Sequence, residues 1–594
     1  MLVRIPAILL LLIAAGCGDS SHRSPSVTAT QWEIFEATLA RPVAESNPFD
    51  PAQIEVNGEF QSPGGEVLVI PGFVSRDYTR SLVGGFEKLA PASDLQWKIR
   101  FAPNEPGNWQ WRWRVRTAQG EELGDWERID VAPAAPEAHG FLRRSERDPR
   151  YLEFDDGTPY FAVGENMCWY DGRGTYSYDE WIARLAEQGG NYIRLWMPSW
   201  AFSLEWIKRA GDGTIVSNSL GDYEDRLDRA WQLDHVIELA RRHGIQVMLS
   251  IQYHGAFSLE SNSDWADNPY NAVNGGPLAT PRELFTNGEA RELFKRRLRY
   301  IVGRWGYAAN VMTWELWNEV DLVEQPTPAE LLEWHREMAR ELRALDPYDR
   351  LISTSTSLGD ALTPSPPFNA LWELEEIDYT QSHYYSFGGA PADFTQLFPR
   401  ITRRLLRYDK PVFISEAGVD FRGPAETIEE DPDADGFHDI LWSAVFSEAL
   451  GSGMTWWWDN VIDPEDLYFH FGPLAAFVRD VDFPGENFVA ATTDLAAPDA
   501  RPLRAFQLRG DSTSLVWIKN RQHQWTSPDP APVAGATLVL DGFPEGEWRA
   551  IWFDTRSPST TTVAVVVAGD GRLSLEVPTF ARDVALRLMQ ADKG

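Results

Sequence analysis

The sequence predicts an α/β protein: a (β/α)8 TIM barrel flanked by N-terminal and C-terminal β-sandwich domains. Residues 141–483 alternate eight times between short apolar strand segments and helix segments, as in a (β/α)8 barrel. Residues 31–132 and 487–594 instead contain short strands separated by Pro- and Gly-rich turns, which is typical of β-sandwiches. No Gly-rich phosphate loop follows the first central strand, which argues against the alternative of a doubly wound open sheet.

The N-terminal sandwich prediction depends on strands such as Trp109–Val115. Every second position of this segment is a tryptophan or valine, and the positions between carry glutamine or arginine. This period of two is typical of an antiparallel strand with one buried face. Residues 131–140 are rich in alanine and proline and are predicted to link the sandwich to the barrel.

Eight segments of the central region are predicted strands. They are Tyr160–Asn166, Asn191–Trp196, Gln246–Ile251, Val311–Glu319, Leu351–Thr356, Asp378–Tyr384, Val412–Glu416 and Met454–Trp458. Helix signals fill the gaps between them. Leu227–Arg242 is amphipathic, and capping boxes begin at Ser177 and at Thr327.

The C-terminal region returns to β-strand patterns. Thr537–Leu540, Trp548–Asp554 and Asp583–Leu588 are predicted strands, and the turns between them contain Pro, Gly and Asp. A second, smaller β-sandwich is therefore expected.

The N-terminus resembles a bacterial lipoprotein signal. The apolar run Ile5–Ala15 is too short to span a bilayer, and it leads into Ala-Ala-Gly-Cys17, which resembles a lipobox. The resemblance implies that residues 1–16 are a signal peptide and that Cys17 is lipidated, which would anchor the exported protein to the bacterial cell envelope. The alternative is an ordinary signal peptide. Residues 17–30 have the composition of a flexible tether.

The composition limits the partners of the chain. A net charge of −34 argues against nucleic acid, whose phosphates require lysine and arginine, and fits the acidic surface of a secreted protein. The 26 tryptophans suit either cores or the apolar faces of sugar rings. Cys168 is the only other cysteine, so a lipidated Cys17 leaves no intramolecular disulfide. No pattern indicates an oligomer, and a monomer attached to a membrane only through Cys17 is expected.

Two predicted strands stop on glutamates that are candidates for catalysis. Glu319 ends the fourth and Glu416 the seventh, and the carboxyl ends of barrel strands converge on one face. Two such carboxyls can supply the acid and the nucleophile that break a glycosidic bond. Glu315 shares a face with Glu319 by alternation and is expected to be hydrogen-bonded inside the barrel rather than to react.

The residues at these strand ends resemble clan A glycoside hydrolases, and the cellulase-like family 5 group in particular. The resemblance lies in Asn318-Glu319 and Glu416, together with Arg194 after the second strand, His383-x-Tyr385 after the sixth and Trp456–Trp458 after the eighth. It covers the barrel, a little over half of the chain.

The flanking regions carry resemblances of their own. Asn47–Asp50 with Phe101–Trp109 resembles a β-sandwich that often precedes such barrels, and Trp552–Arg556 resembles a collagen-binding-like sandwich that follows them.

The resemblance implies a retaining mechanism with a carboxyl separation of roughly 5 Å. In it Glu319 is the acid and then the base, and Glu416 is the nucleophile. The implied substrate-binding residues are Arg194, Asn318, His383, Tyr385, and Trp457 or Trp458. His254, after the third strand, is expected either to touch sugar hydroxyls or to be a loop histidine, and Asn166 and Trp169 are open in the same way.

Other motifs give weaker signals. Asp431–Gly436 imitates the start of a calcium loop, but position twelve is Trp442 rather than glutamate, so a solvated acidic loop before a helix is expected. No zinc spacing or Gly-x-Ser-x-Gly elbow occurs, and neither metal nor cofactor is expected.

Two alternatives to hydrolysis stay open: a catalytically silent glycan-binding barrel, and a transglycosylase that uses the same residues. The pattern does not distinguish glucan, mannan and other β-linked polymers.

Overall fold

The computed structural model describes most of the chain. The described residues are 27–357, 366–386, 392–527, 530–557 and 559–591. The predicted signal peptide, Cys17 and the first part of the tether lie outside them. Within them, no helix is long and apolar enough to cross a membrane. Val27–Thr30 forms a strand parallel to Glu127–Ala132, so the tether prediction is wrong for these four residues.

The N-terminal region contains two sheets and a separate hairpin. The first sheet has the strand order Val27–Thr30, Glu127–Ala132, Gly107–Thr117, Ile54–Gln61 and Val67–Pro71, with Gly120–Leu123 paired to the third strand. The second consists of Phe35–Thr38, Gln96–Phe101 and Phe73–Ser75, and the hairpin of Tyr78–Val83 and Phe86–Pro91. Phe60 stacks on Phe101 across the two sheets at 4.1 Å between ring centroids. Trp109 and Trp111 face this core, as the alternation predicted.

Parallel strands alternate with helices through the central region. Five form one sheet in chain order: Gly164–Asn166, Tyr192–Trp196, Gln246–Ser250, Val311–Glu315 and Leu351–Ser353. Thr380–Tyr385 and Val412–Gly418 form a second parallel pair. The Asp378 N–H donates to the Ile352 carbonyl at 2.9 Å, which links the two sheets. Parallel bridges join Thr455 to Glu165 on one side and to Ala417 on the other.

The eighth predicted strand, Met454–Trp458, is wrong as a regular strand. Only Thr455 makes bridges in this segment. Trp457 takes the left-handed backbone conformation, with φ 67°, and Trp458–Ile462 forms a π-helical turn. The chain therefore leaves the extended conformation immediately after the bridge.

The helices of the central region follow the strands. They are Thr175–Glu187, Leu227–Arg242, Gly288–Trp305, Pro328–Leu345, Pro366–Asn369, Phe394–Leu405, Pro424–Glu430, Asp435–Val445 and Phe471–Val478. The predicted bounds of Leu227–Arg242 and the capping box at Thr327 are confirmed. The capping box at Ser177 is wrong: the helix begins two residues earlier, and the Ser177 hydroxyl donates to the Gly174 carbonyl.

The C-terminal region contains a six-stranded antiparallel sheet and a strand pair. The sheet order is Val489–Ala496, Pro502–Arg509, Thr513–Asn520, Asp583–Gln590, Gly546–Phe553 and Thr560–Ala568, and Thr537–Asp541 pairs with Arg572–Glu576. The predicted strands lie within these bounds to one residue. Trp517 of the sheet stacks on Trp442 of the central region at 6.1 Å between ring centroids, so the two regions share apolar contacts.

The acidic segment Asp431–Gly436 lies at this contact, where Asp431 and Asp435 are buried and Pro432 and Asp433 are exposed. Asp431 accepts hydrogen bonds from the Gly436 and Phe437 N–H groups at 3.0 and 2.9 Å, which caps the following helix. Asp435 is 2% exposed and pairs with Arg582 at 2.6 Å. The prediction of a solvated loop is wrong for Asp431 and Asp435, because the helix N-terminus and charged partners distant in sequence cover them, and it holds for the exposed Asp433.

Candidate active site

Glu319 lies in a turn after the fourth central strand. The strand ends at Glu315, so the prediction that Glu319 ends it is wrong. Glu319 has a left-handed backbone with φ 52°, a conformation that costs non-glycine residues about 1–3 kcal/mol and that clusters at functional sites. Its N–H donates to the Ser355 hydroxyl at 3.1 Å, which holds the turn in place.

Glu416 lies within the seventh central strand, Val412–Gly418, rather than at its end. Its Oε1 accepts a hydrogen bond from the Tyr385 hydroxyl at 2.7 Å, and its Oε2 accepts one from Arg194 at 2.9 Å. A Cβ at Gly418 would stand 2.7 Å from the Tyr385 ring, so glycine at this position allows the tyrosine to reach Glu416.

His383 lies between the two glutamates. Its Nδ1 is 2.9 Å from Glu319 Oε1 and 3.5 Å from Glu416 Oε2. Burial lowers the pKa of His383 to about 4, so the ring is neutral and its Nδ1–H can donate to a carboxylate. One oxygen of each glutamate and this nitrogen lie within 4.8 Å of one another. Such a trio has the donor types of a metal site, but its atoms already interact with each other.

Arg194 orients the other polar groups of the site. It is fully buried and forms a bidentate pair with Glu315 at 2.7 and 2.9 Å, as well as its bond to Glu416. Burial alone would lower the pKa of Arg194, but Glu315 and Glu416 raise it well above its ordinary value, so the guanidinium stays charged. Glu315 is equally buried, and its carboxylate binds the arginine rather than facing a ligand.

Asn318 and His254 lie on the other side of Glu319. Asn318 Oδ1 accepts from Arg194 at 2.8 Å, which directs its amide nitrogen toward His254 Nδ1 at 3.1 Å. His254 Nδ1 also lies 3.4 Å from Glu319 Oε2. Burial lowers the pKa of His254 as well.

The two glutamates differ in which groups oppose the rise in pKa that burial causes. Burial raises the pKa of Glu319 to about 7, and His254 is the main group that opposes the rise. Burial also raises the pKa of Glu416, but there His383, the charged Arg194 and the Tyr385 hydroxyl oppose it. Arg194 and Tyr385 therefore favour ionisation of Glu416, whereas a pKa of about 7 lets Glu319 carry a proton at and below neutral pH.

A cluster of tryptophans borders these groups. Trp169 packs edge-on against its neighbours at 4.7–5.7 Å between ring centroids, and the neighbours are Trp196, Trp200, Trp456 and Trp458.

Trp458 is 0% exposed. Its indole packs on Trp169 and Trp456 and leaves no face on which a sugar ring can stack, so the prediction that it binds substrate is wrong. Trp457 is half-buried, and its indole N–H donates to the Asp420 carbonyl at 3.0 Å.

Sequence reasoning missed two contributors to the site. Ser355 binds the Glu319 backbone, and Trp200 is 43% exposed beside Trp169. The signal for Trp200 is its place in the loop after the second central strand. Asn166 mainly donates to backbone carbonyls, including that of Ser415 at 3.2 Å, so its role is structural.

Two family models match the sequence. Cellulase (glycosyl hydrolase family 5) matches residues 155–460, and a domain of unknown function, DUF5060, matches residues 28–116.

Curated relatives are similar over about half of the chain. Mannan endo-1,4-beta-mannosidase 7 of Arabidopsis thaliana is 24% identical over 366 residues, which is 56% of this chain and 78% of that protein. Mannan endo-1,4-beta-mannosidase 1 of Oryza sativa subsp. japonica is 24% identical over 53% of this chain and 77% of its own length.

A solved structure has a similar fold along almost the whole chain. It comes from Bacteroides vulgatus ATCC 8482 and is provisionally described as a glycoside hydrolase. It is 14% identical, covers 95% of this chain and 100% of its own, and has a TM-score of 0.61.

Proposed function

This chain belongs to the cellulase family, glycosyl hydrolase family 5, and we propose that this glycoside hydrolase is a retaining enzyme that cleaves β-linked glycans with Glu319 and Glu416. The observation that carries the proposal is their separation: one oxygen of each carboxylate lies within 4.8 Å of the other. Retaining enzymes bring the carboxyls to about 5 Å, whereas inverting enzymes separate them further to admit a water.

Glu416 is the nucleophile in the first step. Its carboxylate attacks the anomeric carbon, and Glu319 transfers its proton to the leaving oxygen as the glycosidic bond breaks. A pKa of about 7 gives Glu319 a substantial protonated fraction at neutral pH and a larger one below it, as this task requires. The bonds from Arg194 and Tyr385 favour the ionised form of Glu416.

Glu319 is the base in the second step. Glu319 has given its proton to the leaving oxygen, and it stays ionised more easily because the esterified Glu416 beside it carries no charge. The carboxylate then removes a proton from water, and the water oxygen displaces Glu416 from the anomeric carbon. Both carboxyls return to their initial states, and the two inversions give net retention.

The site belongs to a closed (β/α)8 barrel in this proposal. The central strands follow one another in chain order with no reversal, and bridges at Thr455 connect the first strand with the seventh. Closure brings the carboxyl ends of the strands to one face, where loops supply binding groups. Asn318 would hydrogen-bond the sugar 2-hydroxyl through its amide, and Trp200 and Trp457 would offer aromatic faces to sugar rings.

β-1,4-Mannan is the first substrate to test. Eight curated relatives at 20–24% identity carry the name mannan endo-1,4-beta-mannosidase. A neutral polymer also fits a chain with a net charge of −34.

The test is a screen of β-mannan, β-glucans and xylan with wild-type protein and two matched variants. Glu416→Gln is expected to lower kcat by about a thousandfold or more on every substrate. Glu319→Gln is expected to lower it by about 10²- to 10⁴-fold on polysaccharides, and by less on aryl glycosides whose leaving group needs no proton. Nuclear magnetic resonance of the initial product gives its anomeric form, and an inverted product would refute the mechanism.

The alternatives give different results in the same screen. A silent glycan-binding barrel would bind oligosaccharides without cleaving any, and Glu416→Gln would change neither property. A transglycosylase would form elongated products when acceptor sugars compete with water. The complete set of catalytic groups, with their charge states matched to acid and nucleophile, favours hydrolysis over silent binding.

We also propose that the protein is exported and attached to the cell envelope through lipid on Cys17. The lipobox resemblance carries this proposal. Radiolabelled palmitate should be incorporated into the wild-type protein expressed in bacteria and not into Cys17→Ser. Equal labelling of both proteins, or of neither, would contradict it.

A further inference from the structure

The hairpin of the N-terminal region has a short, well-defined turn. Its strands Tyr78–Val83 and Phe86–Pro91 are connected by two glycines, Gly84 and Gly85, with φ of 61° and 84°. Positive φ at both central residues is the requirement of a type I′ turn, which matches the twist of the flanking strands. Val83 and Phe86 are directly opposite each other beside this turn.

Hydrogen bonds and an ion pair join the hairpin to the first turns of the helix Thr175–Glu187. Arg80 donates to the Thr175 hydroxyl at 2.9 Å and pairs with Asp179 at 2.6 Å. The Glu87 carboxylate accepts the Thr175 N–H at 3.1 Å and also binds the Gln232 amide. Helices in β/α units begin on the side where the strands end, so the hairpin reaches the face that carries Glu319 and Glu416.

Two glycines in the loop after the first central strand admit the hairpin. A Cβ at Gly174 would stand 2.2 Å from a Glu87 carboxylate oxygen, and one at Gly172 would stand 3.3 Å from the Phe86 ring. The same loop begins near Trp169, whose ring centroid lies 5.3 Å from that of the exposed Trp200. The loop that contacts Phe86 therefore also carries Trp169 of the tryptophan cluster beside the site.

The tip presents apolar side chains to solvent. Phe86 is 60% exposed, Val83 57% and Leu82 48%, in the part of the chain that the structure describes. Such a group of exposed apolar residues beside a cleft marks a binding surface. Sugar rings have apolar faces that pack on aromatic side chains, and a glycan held over the two glutamates would extend along this tryptophan cluster.

We propose that the hairpin tip, Leu82–Glu87, is a distal sugar-binding subsite of the cleft. Phe86, supported by Val83, packs against the apolar face of a sugar unit remote from the bond that is cleaved. The subsite rests on the proposed function, because its ligand is the same glycan chain. It contributes to the binding of long chains and not to the bond-breaking step.

The test compares long and short substrates in Phe86→Ala. The long substrate is β-1,4-mannohexaose, or the hexaose of whichever β-glycan the wild-type protein cleaves, and the short one is an aryl β-glycoside of the same sugar. An aromatic contact of this kind corresponds to about three- to tenfold in affinity. KM for the hexaose should rise by about that factor, with kcat for the hexaose and kcat/KM for the aryl glycoside unchanged.

Two further variants make the result specific. Leu123→Ala removes a side chain of similar exposure, 51%, from the strand Gly120–Leu123, which is not part of the hairpin. This variant should keep the wild-type KM and kcat for both substrates. Phe86→Trp keeps an aromatic face and should retain the wild-type KM.

The outcomes separate the subsite from the hydrolase. Wild-type hydrolysis with an unchanged hexaose KM in Phe86→Ala would overturn the subsite and leave the proposed function intact. Equal losses on the hexaose and the aryl glycoside would also overturn it, since the residue would then act on the reacting sugar. Failure of the wild-type protein to cleave any β-glycan would overturn the proposed function, and the subsite with it.

Discussion

Replacement of Tyr385 by phenylalanine tests the proposal that the site keeps Glu416 ionised. The substitution removes the hydroxyl that donates to Glu416 Oε1 at 2.7 Å. The ring can stay in place, because its contacts with Gly418 and Phe421 do not involve the hydroxyl. The change therefore affects the charge on Glu416 more than the packing around it.

The expected size of the effect follows from the strength of this hydrogen bond. A hydrogen bond to a charged group contributes about 1.5–3 kcal/mol, which corresponds to about one to two pKa units. Because the bond stabilises the ionised form, its loss raises the pKa of Glu416, where burial already raises it. The proposed mechanism needs an ionised Glu416, so the acid limb of the pH profile should move upward by the same amount.

The assay is kcat/KM across the acid and alkaline limbs for wild type, Tyr385→Phe and Tyr384→Phe. In the proposed mechanism the alkaline limb reports the loss of the proton from Glu319, whose pKa of about 7 should not move. Tyr384 is a half-buried neighbour that packs on Phe394, and its variant should keep the wild-type profile. A uniform loss of activity in Tyr385→Phe, with no shift of the acid limb, would refute the reasoning.

Two further predictions concern the tryptophan run and the buried aspartate. Trp458→Ala should lower the free energy of unfolding by about 3–5 kcal/mol in urea denaturation, whereas Trp457→Ala should mainly raise KM; a stable Trp458→Ala with a raised KM would contradict the assigned burial. Asp435 pairs with Arg556 and Arg582, which together with His523 hold its pKa below the usual range although burial opposes them. Its contribution to stability is present above the unfolded pKa of about 3.9 and is lost as the pH falls through the lower folded value. Asp435→Asn should lower the melting temperature at neutral pH and reduce this acid sensitivity; an unchanged melting temperature would contradict the pairing.

The sequence predicted which strands carry the catalytic candidates but not where the glutamates lie along them. Apolar runs and a change of period are local signals, and they locate the fourth and seventh strands. The left-handed turn at Glu319 is held by Ser355, from another strand, so no local signal marks it. Glu416 is followed by two further strand residues, which pair with Tyr384 and Tyr385 of the neighbouring strand.

The tryptophan run illustrates a second limit of sequence patterns. Alternation along a strand would place Trp456 and Trp458 on one face and Trp457 on the other. The left-handed backbone of Trp457 breaks this period. Which indole meets solvent then depends on packing against Trp169, a contact between residues far apart in sequence.

The net charge of the site explains why so many ionisable groups can be buried together there. Arg194 and Glu315 neutralise each other in a bidentate pair, and a protonated Glu319 is uncharged, so Glu416 leaves one net negative charge. The transition state of glycoside cleavage develops positive charge at the anomeric carbon. A fixed negative charge in a buried site stabilises that charge as it forms. Without the Glu315 carboxylate, Arg194 would neutralise Glu416 instead. Glu315→Gln should therefore reduce kcat, although Glu315 touches no substrate in the proposed mechanism. An unchanged kcat would show that the pairing of Arg194 with Glu315 does not set the charge on Glu416.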